Sequence, residues 1–336
     1  MFAPLRRFGL SLLLIACLSP GLFASVNGFT PTDGWEADDL MLQADVFAVA
    51  DDGRLAVGAL GVNGAAITVY SQAVPAGRSV LAEYECAGLQ YLSGLAFRGK
   101  DHLLIGENGS RKTLLDLDLG TGSLSAMAPD NAIRNISQVR VRPTDNSIFA
   151  LVANNPGRGA VVKVDHFSPN GFGSVTPFVT NIGTGYLGGL GFDAEGRVYV
   201  GDTNDPWFMG NAGVVRVFDA GGAPVDSISL AAGGGSGLYD LAASATGELF
   251  ATTGATVTRV ANGEVSELGR FGGIYPFPTE LALDGNGGVI VNGAFTGVGG
   301  LFRVRPTSPT AVPEPASVLL LGIGAVSILR RRVWHN

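Results

Sequence analysis

Oxygen-bearing side chains recur at equivalent places in six copies of one pattern along this 336-residue chain. One set stands just before the first apolar core position of each copy: Gln138, Asp240 and Glu280, with Val46, Gly94 and Gly189 in the other three. A second set follows the next apolar run: Glu107-Asn108, Asn154-Asn155, Asp202 with Asn204 and Asp205, and Asn292. If the copies are hairpins arranged radially, the start of the inner strand and the end of its partner lie on one face. Both sets then gather at one mouth. Carboxylates and amides are hard oxygen donors suited to Ca²⁺ or Mg²⁺. Asp and Asn after a strand also serve turns, by bonding nearby backbone groups, and that reading stays open at each position.

Other chemistry has little to build from. With three His and two Cys there is no disulfide framework and no Cys/His zinc site. His102 and His166 fall at turns of different copies, which disfavours a Ser/His/Asp triad, and Cys86 reads as a buried free thiol. The run Gly233–Gly237 neither follows a strand and opens a helix nor precedes a Lys, so it reads as a flexible loop and not a phosphate loop. Trp207-Phe208-Met209 sits in a long loop of the fourth copy. Trp207 and Phe208 are candidate ligand contacts, able to stack on a sugar face, with packing on their own unit as the competing reading.

The elements that must position these residues follow from registration. From Phe47, Leu95, Val139, Leu190, Leu241 and Leu281 to Leu55, Leu103, Ile148, Val198, Leu249 and Val289 the step is 8, 8, 9, 8, 8 and 8 residues. Each pair brackets a turn, such as Asp51-Asp52-Gly53 or Ala245-Thr246-Gly247, that reads as a hairpin. Successive copies lie 40 to 51 residues apart, with room for two further strands each, for example Thr113–Leu117 and Leu124–Met127. Four strands per unit at this period predict an all-β, six-bladed β-propeller over residues 25–310, with a two-sheet sandwich as the alternative. The sixth unit runs out at Pro306 and Pro309, so its fourth strand is expected from the N-terminus near Val26–Thr30. The 50 Gly lack a three-residue period, which excludes collagen, and 46% hydrophobic content excludes disorder.

The ends read as addresses. Residues 1–24 carry Arg6-Arg7, an apolar run and Ala24 at a cleavage point, a secretory signal peptide. Leu14-Ile15-Ala16-Cys17 resembles a lipobox, which leaves acylation of Cys17 open. Residues 311–336 hold Val312-Pro313-Glu314-Pro315, an apolar stretch and Arg330-Arg331-Arg332. A short transmembrane helix is expected over about 316–329, with the arginines cytoplasmic. Without residues 1–24 and 314–336 the chain keeps 17 basic against 28 acidic residues, a charge of −11 that argues against a nucleic-acid partner.

The tail resembles the PEP-CTERM sorting signal of Gram-negative bacteria, over about residues 312–333. That resemblance implies export, recognition by an exosortase as partner, a membrane contact through the C-terminal helix before processing, and delivery to the cell surface or an exopolysaccharide matrix. The repeat, in phrases such as Leu190-Gly191-Phe192-Asp193-Ala194-Glu195-Gly196-Arg197-Val198-Tyr199-Val200, is similar to NHL-repeat and gluconolactonase-type propellers. That second resemblance implies a Ca²⁺-type ion held by Glu107, Asn154, Asp202 and Glu280, with Asp202 also the catalytic base of a lactonase. The expectation is a surface-sorted binding or structural module, with extracellular polysaccharide or a surface protein as partner. A divalent-metal lactonase or hydrolase is the alternative.

Overall fold

Short runs such as Leu103-Leu104-Ile105 and Ile148-Phe149-Ala150-Leu151 are apolar on both faces, the pattern of a strand covered on each side by another sheet. The computed structural model describes residues 28–153, 159–165, 171–182, 187–202, 213–230, 237–272, 277–295 and 298–307. Strands are the regular elements among them, and none is a helix.

Two strands, β1 (Phe29–Pro31) and β2 (Trp35–Gln43), precede the first blade. Blade 1 is β3 (Val46–Val49), β4 (Leu55–Gly61), β5 (Gly64–Tyr70) and β6 (Val80–Ala87). Blade 2 is β7 (Leu92–Arg98), β8 (His102–Glu107), β9 (Thr113–Asp118) and β10 (Leu124–Ala126). Blade 3 comprises β11 (Ile136–Val141), β12 (Ile148–Val152), β13 (Gly159–Val164) and β14 (Val175–Ile182). Blade 4 comprises β15 (Leu187–Phe192), β16 (Val198–Asp202), β17 (Val214–Phe218) and β18 (Pro224–Ser229). In blade 5 stand β19 (Leu238–Ala243), β20 (Leu249–Thr253), β21 (Thr256–Ala261) and β22 (Glu264–Phe271). Blade 6 holds β23 (Phe277–Leu283), β24 (Val289–Phe295) and β25 (Val298–Pro306).

The first strands of consecutive blades touch all the way round: β3 to β7, β7 to β11, β11 to β15, β15 to β19, β19 to β23, and β23 back to β3. The fold is therefore the expected all-β, six-bladed propeller. All six hairpins expected from the sequence form, with partners such as Phe47↔Val57, Leu95↔Ile105 and Leu281↔Val291.

Six apolar clusters fill the six seams between blades. Leu95, Leu103 and Ile105 pack against Ile67 and Val69 between blades 1 and 2, and Phe149 and Leu151 meet Leu190 and Val200 between blades 3 and 4. Burial of each such side chain stabilises by about 1.5–3 kcal/mol.

Closure differs from the sequence expectation in one respect. The strand that completes blade 6 is β2, at Trp35–Gln43, and not Val26–Thr30. The preceding β1 instead adds a fifth strand to blade 5, with Phe29 opposite Phe271 and Pro31 opposite Gly269. Length and backbone chemistry explain the difference. The nine residues of β2 match the nine of β25, whereas β1 has three and ends at Pro31, which an outer edge tolerates but which stops a longer pairing. Gly34, at φ +86°, then turns the chain into β2. Leu40 is fully buried in the seam between blades 6 and 1, and Arg305 of β25 pairs with Glu36 at 3.0 Å.

The leader at 1–24, the motif residues Val312, Pro313, Glu314, Pro315, Arg330, Arg331 and Arg332, and the helix expected over 316–329 lie outside the described residues. So do Asn154, Trp207 and Phe208.

Candidate binding site at the axial mouth

An innermost strand has no ladder partner on its axial side, so its edge N–H groups need acceptors from elsewhere. The propeller meets part of this need with side chains that reach from one blade to another. Glu280 of blade 6 accepts a hydrogen bond on Oε2 from the Phe47 N–H of blade 1 at 2.7 Å. Asp240 of blade 5 accepts on Oδ2 from the Leu281 N–H of blade 6 at 2.6 Å, and on Oδ1 from the Leu241 N–H at 2.7 Å. Gln138 of blade 3 accepts on Oε1 from the Leu190 N–H of blade 4 and donates from Nε2 to Asp240 Oδ1 at 2.5 Å. The backbone donors are the first core residues of their blades, and the side chains that accept from them belong to the residue immediately before that position.

A local device repeated from blade to blade sets this geometry. The pairing of the first two strands shifts register between Leu92 and Gly94, Ile136 and Gln138, Leu187 and Leu190, Leu238 and Asp240, and Pro278 and Glu280. Such bulges turn a side chain out of the ladder and are common beside functional sites. Here the extra residues include Ser93, Ser137 and Tyr239, all of which line a cavity of about 690 Å³ together with Gln138, Asp240 and Glu280. Asp45, Tyr91, Asn108 and Asn292 are also in its wall.

Arg140 stands two residues further along β11 than Gln138, about 7 Å away. Its guanidinium reaches across to the Leu281 carbonyl of the opposite blade at 3.3 Å and approaches Asp240 Oδ2 to 3.6 Å. Among the described residues, the buried acids Asp240 and Glu280 thus share the axis with Arg140. Burial pushes the Glu280 carboxyl up to about 8, against the opposing pull of Arg140, with the Asp240 charge adding to the rise. Burial also raises Asp240, opposed by Arg140 and by the N–H donors of Leu281, Gln138 and Leu241.

Of the residues singled out in the sequence as ion ligands, Glu280 lies in this cavity. Glu107, fully buried, spends its carboxylate on its own loop: Oε1 accepts from the Gly109 and Ser110 N–H groups, Oε2 from those of Arg111 and Lys112, all within 3.1 Å. Asp202 is also fully buried and is held by Arg216 Nε of the adjacent strand at 2.8 Å. Among the described residues no three His, Cys, Asp or Glu side chains come together as an ion site. Glu107 and Asp202 are thus engaged by their own loop and by Arg216, and Asn154 lies outside the described residues.

Asn108 is likewise occupied, its amide accepting from and donating to the backbone of Ile136. Asn292 donates from Nδ2 to the Ala44 carbonyl at 3.0 Å, which leaves Oδ1 turned to its other side. Arg140, Tyr91, Ser93 and Tyr239 escaped the sequence reading. A charged residue interrupting the apolar run Val139-Arg140-Val141 was the available signal for the first. Bulges leave no comparable mark.

Residues 311–333 match the PEP-CTERM protein-sorting motif. That motif implies exosortase processing, export, and surface or membrane association in Gram-negative bacteria. No curated protein matches the chain in sequence. Among solved structures, a gluconolactonase from Xanthomonas campestris is similar over 84% of this chain and 92% of its own, with a TM-score of 0.55 and 14% identity. The PQQ-bound aldose sugar dehydrogenase of Streptomyces coelicolor aligns over 82% of this chain and 99% of its own, with a TM-score of 0.54 and 14% identity. A calcium structure of a Trichoderma reesei carbohydrate-active enzyme of family AA12 aligns over 83% of this chain and 97% of its own, with a TM-score of 0.56 and 11% identity. At these identities the likeness is one of fold.

Proposed function

We propose that this chain is an exported binding module of the cell surface or extracellular matrix, whose propeller presents its axial mouth to a polysaccharide or a surface protein. The observation that carries the reading is the sorting motif at residues 311–333, which follows a single propeller with a polar axial cavity. Acidity supports it in part: a charge of −11 on the body of the chain disfavours polyanionic partners such as nucleic acids. The test is fractionation of cells that express the full chain, followed by pull-down from the surface fraction. The expected result is release to the surface or medium with polysaccharide or a surface protein attached, and retention in the inner membrane for the Glu314→Ala variant. Equal distribution of both chains, with nothing attached, would overturn the reading.

A second reading, a divalent-metal lactonase, is favoured by the likeness to the gluconolactonase and to the calcium structure. Under it, millimolar calcium raises the melting temperature of the full chain, because an ion that binds only the folded state stabilises it. Glu280→Gln then abolishes the rise, and a lactone screen detects hydrolysis. Absence of a calcium effect removes this reading and leaves the first untouched.

A further inference from the structure

Two residues that line the axial cavity each carry a buried polar atom without a partner among the described residues, and these atoms bear on what a ligand must offer. Asn292 is 1% exposed, yet its Oδ1 finds no hydrogen-bond partner among the described residues. Its amide nitrogen is anchored on the Ala44 carbonyl, which fixes the free oxygen as an acceptor. The Ser93 hydroxyl, carried on the blade 2 bulge, is also buried without a partner among the described residues. Buried polar atoms in this condition are uncommon in native proteins and point to a missing partner. At the lip stands Tyr91, 54% exposed, with its ring available as a flat apolar surface.

On the reading of the propeller as a binding module, we propose that the axial cavity holds an uncharged polyhydroxyl ring, the end unit of a neutral oligosaccharide. An acceptor-only oxygen at Asn292 and a donor–acceptor hydroxyl at Ser93 ask for a ligand that both donates and accepts. Sugar hydroxyls do both. A carboxylate or phosphate group donates nothing to the Asn292 oxygen, so a ligand that presents its charged group there leaves that oxygen unpaired. A bare cation meets the Asn292 oxygen but finds the Asp240 carboxylate already engaged by three N–H donors. The Tyr91 ring supplies the stacking face that the C–H side of a sugar ring requires. A volume of about 690 Å³ falls within the range of small-molecule sites.

The test applies the full-length chain to an array of uncharged gluco-, manno- and galacto-oligosaccharides, uronic-acid oligosaccharides, and calcium chloride alone in solution. Titration calorimetry then follows any hit. The expected result is retention of at least one neutral oligosaccharide, with affinity reduced at least tenfold in both Tyr91→Ala and Ser93→Ala. Ser93→Ala should melt no lower than the wild type without sugar, because it removes an unpaired buried hydroxyl, so loss of binding cannot be ascribed to misfolding. Binding of uronic-acid oligosaccharides or calcium alone overturns the proposal. Neutral sugar held equally by wild type and both variants overturns the assignment to this cavity while leaving the binding-module reading intact. If no glycan is retained, the proposal falls, and the pull-down from the surface fraction decides the broader reading separately.

Discussion

At the scale of single residues, the axial acids serve architecture first. Glu280 and Asp240 accept N–H groups that would otherwise face the channel unpaired, and they do so while buried, which is why both carboxyls are raised. The consequence for stability has a definite sign. Folded Glu280 keeps its proton up to about 8, whereas the unfolded residue ionises near 4.5, so the folded state binds more protons between these values. Its contribution is complete below about pH 4.5, is lost as pH rises towards 8, and is level above. Asp240 shifts in the same sense, and Arg140, the cation beside both, moderates the loss. Melting curves from pH 5 to 8.5 should show the wild type losing on the order of 5–10 °C relative to Glu280→Gln across that range. A variant with the same slope as the wild type would place the proton elsewhere. Glu107 gives a contrasting case. Replacing it with Gln leaves one oxygen for four N–H donors of the 109–112 loop, at a cost of about 1–3 kcal/mol in urea denaturation.

At the scale of the element, the innermost strands must approach one another closely, and small residues permit it. Gly189 has φ +96°, and a Cβ there would lie 2.2 Å from the Leu241 nitrogen of the next blade. A side chain at Gly94 would stand 3.1 Å from the equivalent nitrogen of Val139, with ordinary backbone conformation. Gly189→Ala should therefore destabilise by several kcal/mol, and Gly94→Ala by clearly less, in parallel urea titrations. The difference shows what a sequence conveys. Hairpin register was legible, because a step of eight between Leu95 and Leu103 or Leu241 and Leu249 leaves one consistent pairing. Gln138, Asp240, Glu280 and Asn292 were legible as mouth residues for the same reason. The convergence of particular side chains was not. Glu107 and Asp202 occupy positions equivalent to other mouth residues, but local partners, a loop of N–H groups for one and Arg216 for the other, engage them. Periodicity fixes which face a residue starts from; the nearest donor decides where its side chain ends.

At the scale of the whole molecule, the ring is held closed by a segment far from its partners in sequence. Strand β2 completes blade 6 from the other end of the domain, and β1 lies along the outer edge of blade 5, with Phe29 packed edge-on against Phe271 at 5.0 Å. The arm therefore joins two adjacent blades, and acidic residues at 36, 38 and 39 disguised its second half as a surface segment in the sequence. Its two halves should differ in effect. A chain lacking residues 28–34 loses β1 and the Phe29 contacts but retains the strand that covers β25. A chain lacking 28–43 also loses β2, takes Leu40 out of the seam between blades 6 and 1, and leaves β25 as a bare nine-residue edge. Such an edge templates pairing with another chain. The shorter deletion should lower the melting temperature while leaving a monomer, and the longer one should produce aggregates, both read by size-exclusion chromatography and thermal scanning. Equal behaviour of the two would mean that β2 contributes little to closure and that the contacts between first strands hold the ring unaided.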